Sequence, residues 1–182
     1  LKKLFWDYLS LFLLAGTVIG LDQWTKELVR DRLQVGEIWS PIAAITPYIR
    51  IVHWKNSGAA FGMLQGFGGV FTILAIIVAL VIIYYFPQIG SHDKLLRLAL
   101  GLQLGGALGN LVDRLTQGYV TDFISVGSFP VFNIADSSIT IGVIILALGV
   151  WLKDWRTEHE AQTAQNEAPN PADHSTTTTQ DK

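Results

Sequence analysis

Four long apolar runs limit what this chain can fold into more than any other feature of its sequence. They fall at about residues 4–24, 69–86, 95–112 and 131–152. Each is close to the roughly 20 residues that a helix rising 1.5 Å per residue needs to cross a hydrocarbon core about 30 Å thick. Half of the 182 residues are hydrophobic and only 15% are charged, which is more apolar than a water-soluble domain of this size. The expected fold class is therefore a membrane α-helical protein with four transmembrane helices. The first run follows Lys2 and Lys3 and has the layout of a secretory signal. No A-x-A site comes after it, however, and it ends in Asp22-Gln23-Trp24-Thr25-Lys26, so it is expected to stay as a span.

The segments outside the spans differ in character. Residues 25–68 form an extramembrane insert in which Glu27–Gln34 reads as a helical extension, before Gly36, Pro41 and Pro47 break the chain. Tyr48–Trp54 is rich in β-branched and aromatic residues and reads as a strand, giving a small sheet against the bilayer surface. A run of small residues follows, Asn56-Ser57-Gly58-Ala59-Ala60-Phe61-Gly62. The domain boundaries are thus 1–157 for the membrane domain and 158–182 for a hydrophilic tail. That tail has no aromatic or branched aliphatic residue with which to offset its ordering entropy, and is expected to be disordered.

An even number of spans puts both termini on one side. Lys2, Lys3, Lys94, Arg97, Lys153 and Arg156 flank that side, and Lys26, Arg30, Arg32, Arg50, Lys55 and Arg114 the other. The two sets are equal, so the excess of basic residues expected in the cytoplasm does not decide orientation. The short 86–95 turn, with Lys94 and Arg97 near a helix end, leans towards cytoplasmic termini. Trp6, Trp151 and Trp155 would mark one interface and Trp24, Trp39 and Trp54 the other.

Several kinds of chemistry are excluded or disfavoured. With no cysteine, disulfides, thiolate catalysis and thiolate metal sites are impossible. His53, His92, His159 and His174 are too scattered for helical metal ligation, so neither metal nor cofactor is expected. A net charge of −2 without a basic stripe gives no case for nucleic acid. No internal repeat of the kind found in many transporters is present.

The polar residues that remain are concentrated at the span ends remote from the termini. On the third span Gly101, Gly105 and Gly109 have the spacing that lets helices approach closely in lipid. Beside them Gln103, Gly106, Asn110 and Asp113 make a polar stripe. Asn133, Asp136, Ser137 and Thr140 do the same on the fourth span, so the two stripes can meet. Asp22 precedes Lys26 by one helical turn, and Asp113 precedes Arg114, so both acids read as ion-pair partners. Asp122 and Asp136 have no basic residue within seven positions. An ionised acid at mid-bilayer costs roughly 2.5–3.5 kcal/mol. Asp122 is expected in a short connection after Gly118, and Asp136 one turn inside the fourth span. Brought together in a poorly solvated site, they would share one proton, and one acid would activate a water while the other polarised a carbonyl.

Five blocks of the sequence resemble one family, the bacterial lipoprotein signal peptidases (type II signal peptidases, aspartic membrane proteases). They are Asp22-Gln23-Trp24-Thr25-Lys26, Asn56-Ser57-Gly58-Ala59-Ala60-Phe61, the run from Gly105 to Arg114, Val120-Thr121-Asp122-Phe123-Ile124 and Phe132-Asn133-Ile134-Ala135-Asp136-Ser137. The resemblance spans about residues 4–155, in order. It implies cytoplasmic termini in the bacterial inner membrane, a small extracytoplasmic β cradle, and an active site near the periplasmic or outer face. The implied activity is endoproteolytic removal of signal peptides from prolipoproteins, just before a cysteine that carries a diacylglyceryl group, without metal or cofactor. By residue match, Asp122 and Asp136 are the catalytic pair. Asn56, Gly58, Asn110, Asp113, Arg114, Asn133 and Ala135 line the site or hold substrate, and Asp22 and Lys26 support it. Membrane lipids and inhibitory cyclic peptides of the globomycin type are the other implied partners. The segment from Phe123 to Ala135 looks short for that family.

Two other classes use the same acids. A proton-coupled carrier would relay protons through them, but needs a continuous polar path that the second and fourth spans hardly offer. A membrane scaffold would use the acids, Asn110 and Arg114 only to bind one another.

Overall fold

The structure is a computed structural model that describes residues 1–40, 42, 44, 46–58 and 66–167. Ala59-Ala60-Phe61-Gly62 of the small-residue run, Pro41, and tail residues 168–182 lie outside the described residues. The chain divides into two compact units, Leu1–Ala147 and Leu148–Lys182. Its elements are α1 (Lys2–Arg32), β1 (Ile38–Trp39), β2 (Ile49–Asn56), α2 (Gly68–Tyr85), α3 (Lys94–Gln117), β3 (Val120–Val126) and α4 (Ile134–Glu167), with one 3-10 turn at Phe86–Gln88 after α2. All four helices are long and apolar enough to cross a membrane.

The helices lie where hydropathy puts them and run longer where polar residues favour helix. α1 continues past Trp24 to Arg32 because Asp22–Lys26 and Glu27–Arg30 make ion pairs along its surface. α3 continues past Val112 to Gln117 and is stopped by Gly118, whose φ of +79° is the left-handed cap that glycine adopts without strain. α4 starts at Ile134 rather than 131 and continues through Glu158–Glu167, part of the expected tail. The Glu, Ala and Gln residues of this stretch favour helix and can extend one already formed.

In the first unit α3 is the central element. A side chain added at Gly101 would strike Leu14, one at Gly105 would strike Val18 and the Ala15 carbonyl, and one at Gly109 would strike Asp22. Successive glycines on α3 thus receive successive turns of α1. Gly106 faces the Ala135 carbonyl and Ile139 of α4. Away from these seams, Phe12, Leu13, Ile73, Leu74, Ile77, Leu80 and Ile144 are exposed, as side chains facing lipid would be. Leu11, Ala15, Ala79, Ile82, Phe86 and Leu104 fill an apolar core. Near it, Asp7 and Arg97 pair at 2.7 Å and join α1 to α3.

Three antiparallel strands make a sheet in the order β1-β2-β3. The expected strand at Tyr48–Trp54 is present as Ile49–Asn56. Asp122, expected in a connection, lies instead within β3, because Val120–Val126 carries the β-branched and aromatic residues that suit a pleated surface. A bulge between Ile51 and Trp54 resets the β2–β3 register, so Trp54 pairs with Asp122 and Asn56 with Val120. After β3 the chain turns at Gly127 and returns as a single bridge from Phe132 to Ile124.

Candidate active site

The start of α4 sets the geometry. Asn133 precedes the helix, and its side-chain Oδ1 accepts the Asp136 backbone N–H at 2.9 Å, while Asp136 Oδ2 accepts the Asn133 backbone N–H at 3.3 Å. This is a reciprocal helix cap with Asp at the third helical position. Because the Asn133 oxygen is held by the helix end, its amide nitrogen must point the other way. It donates to Asp122 Oδ1 at 2.7 Å and to Asn110 Oδ1 at 3.1 Å. Asn110, on α3, donates in turn to Asp136 Oδ1 at 2.8 Å. The two amides therefore connect Asp122 on β3 with Asp136 on α4.

β2 supplies the remaining partner of Asp122. Asn56 Nδ2 donates to Asp122 Oδ2 at 2.9 Å, and Asn56 Oδ1 accepts the Gly58 backbone N–H at 2.9 Å, which fixes that amide as well. Asp122 is 1% exposed. Burial, followed by the Asp136 charge, pushes its carboxyl from 3.8 up to about 7, against the opposing hydrogen bonds of Asn56 and Asn133. Asp122 thus holds a proton close to neutral pH.

Behind the two acids lies a buried charge network. Lys26, 0% exposed, bonds Asp22 Oδ2 at 2.7 Å, Asp113 Oδ2 at 3.1 Å and Asn110 Oδ1 at 2.9 Å. Asp22 Oδ1 accepts the Ala135 backbone N–H at 2.9 Å, next to the N-terminus of α4, where negative charge is favoured. Asp113 also accepts the Thr121 backbone N–H at 2.9 Å and lies 3.6 Å from Arg30. The expected Asp22–Lys26 pair is present. The expected Asp113–Arg114 pair is not, since Asp113 turns to Lys26 and Arg30 of α1. Adjacent residues on a helix do not face each other.

A cavity of about 540 Å³ opens onto the pair. Asp122, Asp136, Asn56, Gly58, Asn110 and Arg114 contribute to its polar side. Phe71, Phe129, Val131, Phe132 and Ile139 contribute an apolar wall. The Arg114 guanidinium stands 5.6 Å from the Phe71 ring centre. Of the residues expected to line the site, Asn133 is fully buried between the acids, and Asp113 and Ala135 lie behind them rather than on the cavity. Gln23 was given no role from the sequence, yet its amide nitrogen reaches Asp22, Asp113 and the Gly109 carbonyl at 3.0–3.2 Å. Its position one residue after Asp22, on the helix facing Gly109, was the available signal. Among the described residues no group of three or more His, Asp or Glu is placed to hold a metal ion.

The model of the family described as signal peptidase (SPase) II matches residues 14–152. A lipoprotein signal peptidase of Geobacillus thermodenitrificans is 48% identical over 139 residues, covering 74% of this chain and 85% of that protein. One from Halalkalibacterium halodurans is 39% identical over 159 residues, covering 85% and 97%. A bacterial membrane enzyme solved by the in meso method at 2.3 Å resolution superposes with a TM-score of 0.72 at 34% identity, covering 88% of this chain and 93% of that one.

Proposed function

Since the chain belongs to the signal peptidase II family, we propose that Asp122 and Asp136 are the two carboxyl groups with which it cuts its substrate. The chain is a multi-pass membrane enzyme of the aspartic type that removes signal peptides from prolipoproteins. The carrier and scaffold alternatives are not favoured by that membership.

The observation that carries the residue assignment is the Asn133 amide, bonded to Asp122 through its nitrogen and to the Asp136 backbone through its oxygen. A pair held this way in a poorly solvated cavity keeps one proton between its members. Ionised Asp136 takes a proton from a water as that water attacks the scissile carbonyl carbon. Asp122 donates its proton to the carbonyl oxygen as the double bond opens, giving a neutral diol. The diol collapses as its C–N bond breaks. One hydroxyl proton returns to Asp122, Asp136 delivers its proton to the leaving nitrogen, and the starting state is restored.

The apolar wall of Phe71, Phe129, Val131 and Ile139 suits a signal-peptide segment and the acyl chains of a diacylglyceryl cysteine entering from lipid. Asn56, Gly58 and Arg114 at the cavity rim would hold substrate backbone, and the same groups would hold a globomycin-type cyclic peptide. Asn110 and Asn133 hold the acids, while Asp22, Lys26, Asp113 and Ala135 act from behind by fixing Asn110 and the start of α4. The cavity would face the periplasmic or outer side of the bacterial inner membrane, with the chain termini in the cytoplasm.

The test is cleavage of a diacylglyceryl-modified prolipoprotein by the purified chain, with and without a globomycin-type inhibitor. Asp122→Asn and Asp136→Asn are each expected to fold, insert and lose at least about 10³-fold in turnover, since neither half of the proton exchange works alone. Substantial turnover by either variant would overturn the assignment.

A further inference from the structure

Outside the candidate active site, two buried side-chain nitrogens have no hydrogen-bond partner among the described residues, Gln103 Nε2 on α3 and His53 Nε2, and the second of them lines a cavity. His53 is 5% exposed and sits in the β2 bulge. Its Nδ1 lies 2.8 Å from the Leu33 carbonyl at the end of α1. A carbonyl only accepts, so Nδ1 carries the hydrogen and Nε2 of the neutral ring is a bare acceptor. Nε2 is buried and without a hydrogen-bond partner among the described residues. The ring lines a polar cavity of about 560 Å³, to which Asp31, Arg32 and Glu37 also contribute.

A second cavity, of about 490 Å³, adjoins the first, since Arg32 and Leu33 line both. It is walled by Leu28, Val29, Trp39, Ile51 and Phe123 and is almost wholly apolar. It has no lining residue in common with the cavity at the acid pair. Asp122 and Phe123, being consecutive in β3, point to opposite faces of the strand. Along α1 the apolar cavity begins at Thr25, just beyond the first apolar run, and the polar cavity begins at Arg30. Polarity thus rises along the helix in the order met on leaving a bilayer, from acyl chain to headgroup.

We propose that the two cavities together bind one glycerophospholipid with an ethanolamine headgroup. An acyl chain fills the apolar cavity beside Trp39 and Phe123. The phosphate sits at Arg32, and the primary ammonium donates hydrogen bonds to His53 Nε2 and to the carboxylates of Asp31 and Glu37. A choline headgroup has no N–H to offer the bare nitrogen, and a glycerol headgroup brings no cation to the two acids, so the site distinguishes ethanolamine from both. A lipid held here ties the end of α1 to the β2 bulge, three residues before the Asn56 that holds Asp122.

The full chain purified in detergent is offered equal amounts of phosphatidylethanolamine, phosphatidylcholine and phosphatidylglycerol with identical acyl chains, and is read by native mass spectrometry. One phosphatidylethanolamine should be retained about tenfold over either competitor, the size expected for one charge-assisted hydrogen bond. Asp31 and Glu37 are exposed, so an Asp31→Asn/Glu37→Gln double variant should fold while the preference over phosphatidylglycerol drops to near parity. Equal retention of the three lipids, a preference for phosphatidylglycerol or phosphatidylcholine, or a preference over phosphatidylglycerol that survives in the double variant each overturns the proposal.

Discussion

Asn133 donates to Asp122 Oδ1 at 2.7 Å with the same amide whose oxygen caps α4 at the Asp136 N–H. One side chain therefore has two separable duties, helix capping through oxygen and holding an acid through nitrogen. Asn133→Ser keeps a capping oxygen and loses the nitrogen, whereas Asn133→Ala loses both. Both variants should lose about 10²-fold in kcat, the size seen when one preorganised donor is removed. Only Asn133→Ala should lose a further ~1 kcal/mol of stability relative to Asn133→Ser, from the missing cap. Turnover and unfolding midpoints measured side by side check both halves. Equal stability of the two variants would deny the cap.

Most of the architecture was legible because it depends on local pattern. The four spans follow from hydropathy, and the glycine ladder of α3 follows from four-residue spacing. Asp122 and Asp136 stand out because no cation lies near them in the chain. What was illegible depends on distant partners. Asp113 has Arg114 beside it in sequence, yet pairs with Lys26 and Arg30, which reach it from α1 across the seam that Gly105 and Gly109 open. The strand containing Asp122 was missed for a different reason. Val120–Val126 does carry a strand's residues, but the stretch after Gly118 was read as a short connection, because its pairing partner β2 lies about 66 residues earlier in the chain, and that pairing prevailed.

Lys26 is the only cation bonded to Asp22 among the described residues and shares Asp113 with Arg30. Lys26→Met should cost about 3–5 kcal/mol, because it leaves buried carboxylates uncompensated. It should also reduce cleavage sharply, since Asn110 loses one of the two bonds that orient its oxygen and, through it, the nitrogen on Asp136. Thermal unfolding in detergent reads the first effect. Lys55→Met, on an exposed residue of β2 whose ammonium lies 4.4 Å from the Tyr119 ring centre, serves as the control and should shift stability by no more than about 1 kcal/mol.

The raised carboxyl of Asp122 predicts a pH dependence with a definite sign. Its folded value of about 7 lies above the ordinary 3.8, so the folded state binds the proton more tightly than the unfolded state does. The stability contributed is complete below pH 3.8 and is lost as pH rises through about 7. Unfolding midpoints of the wild-type chain should fall between those limits, and Asp122→Asn should flatten that part of the profile. Cleavage should decline on the alkaline side of about pH 7, as the shared proton is lost. An activity that still climbs well above that pH would contradict the protonated role given to Asp122.

The glycine seam between α1 and α3 gives the last prediction. A Cβ at Gly105 would stand 2.6 Å from Val18 Cβ and 3.0 Å from the Ala15 carbonyl oxygen, so backbone would have to move to admit it. Gly105→Ala should therefore destabilise the chain by about 1–3 kcal/mol, the usual cost of overpacking. Separation of α1 from α3 would carry Lys26 away from Asn110, so cleavage should fall along with stability. Gly20, within α1, has nothing within 4 Å of its added Cβ. Gly20→Ala should be neutral or slightly stabilising, because it removes only a helix-interior glycine. Midpoints of thermal unfolding for the two variants, measured in one detergent, separate close approach from helix propensity. Equal effects of the two substitutions would mean that the α1–α3 contact is not what these glycines provide.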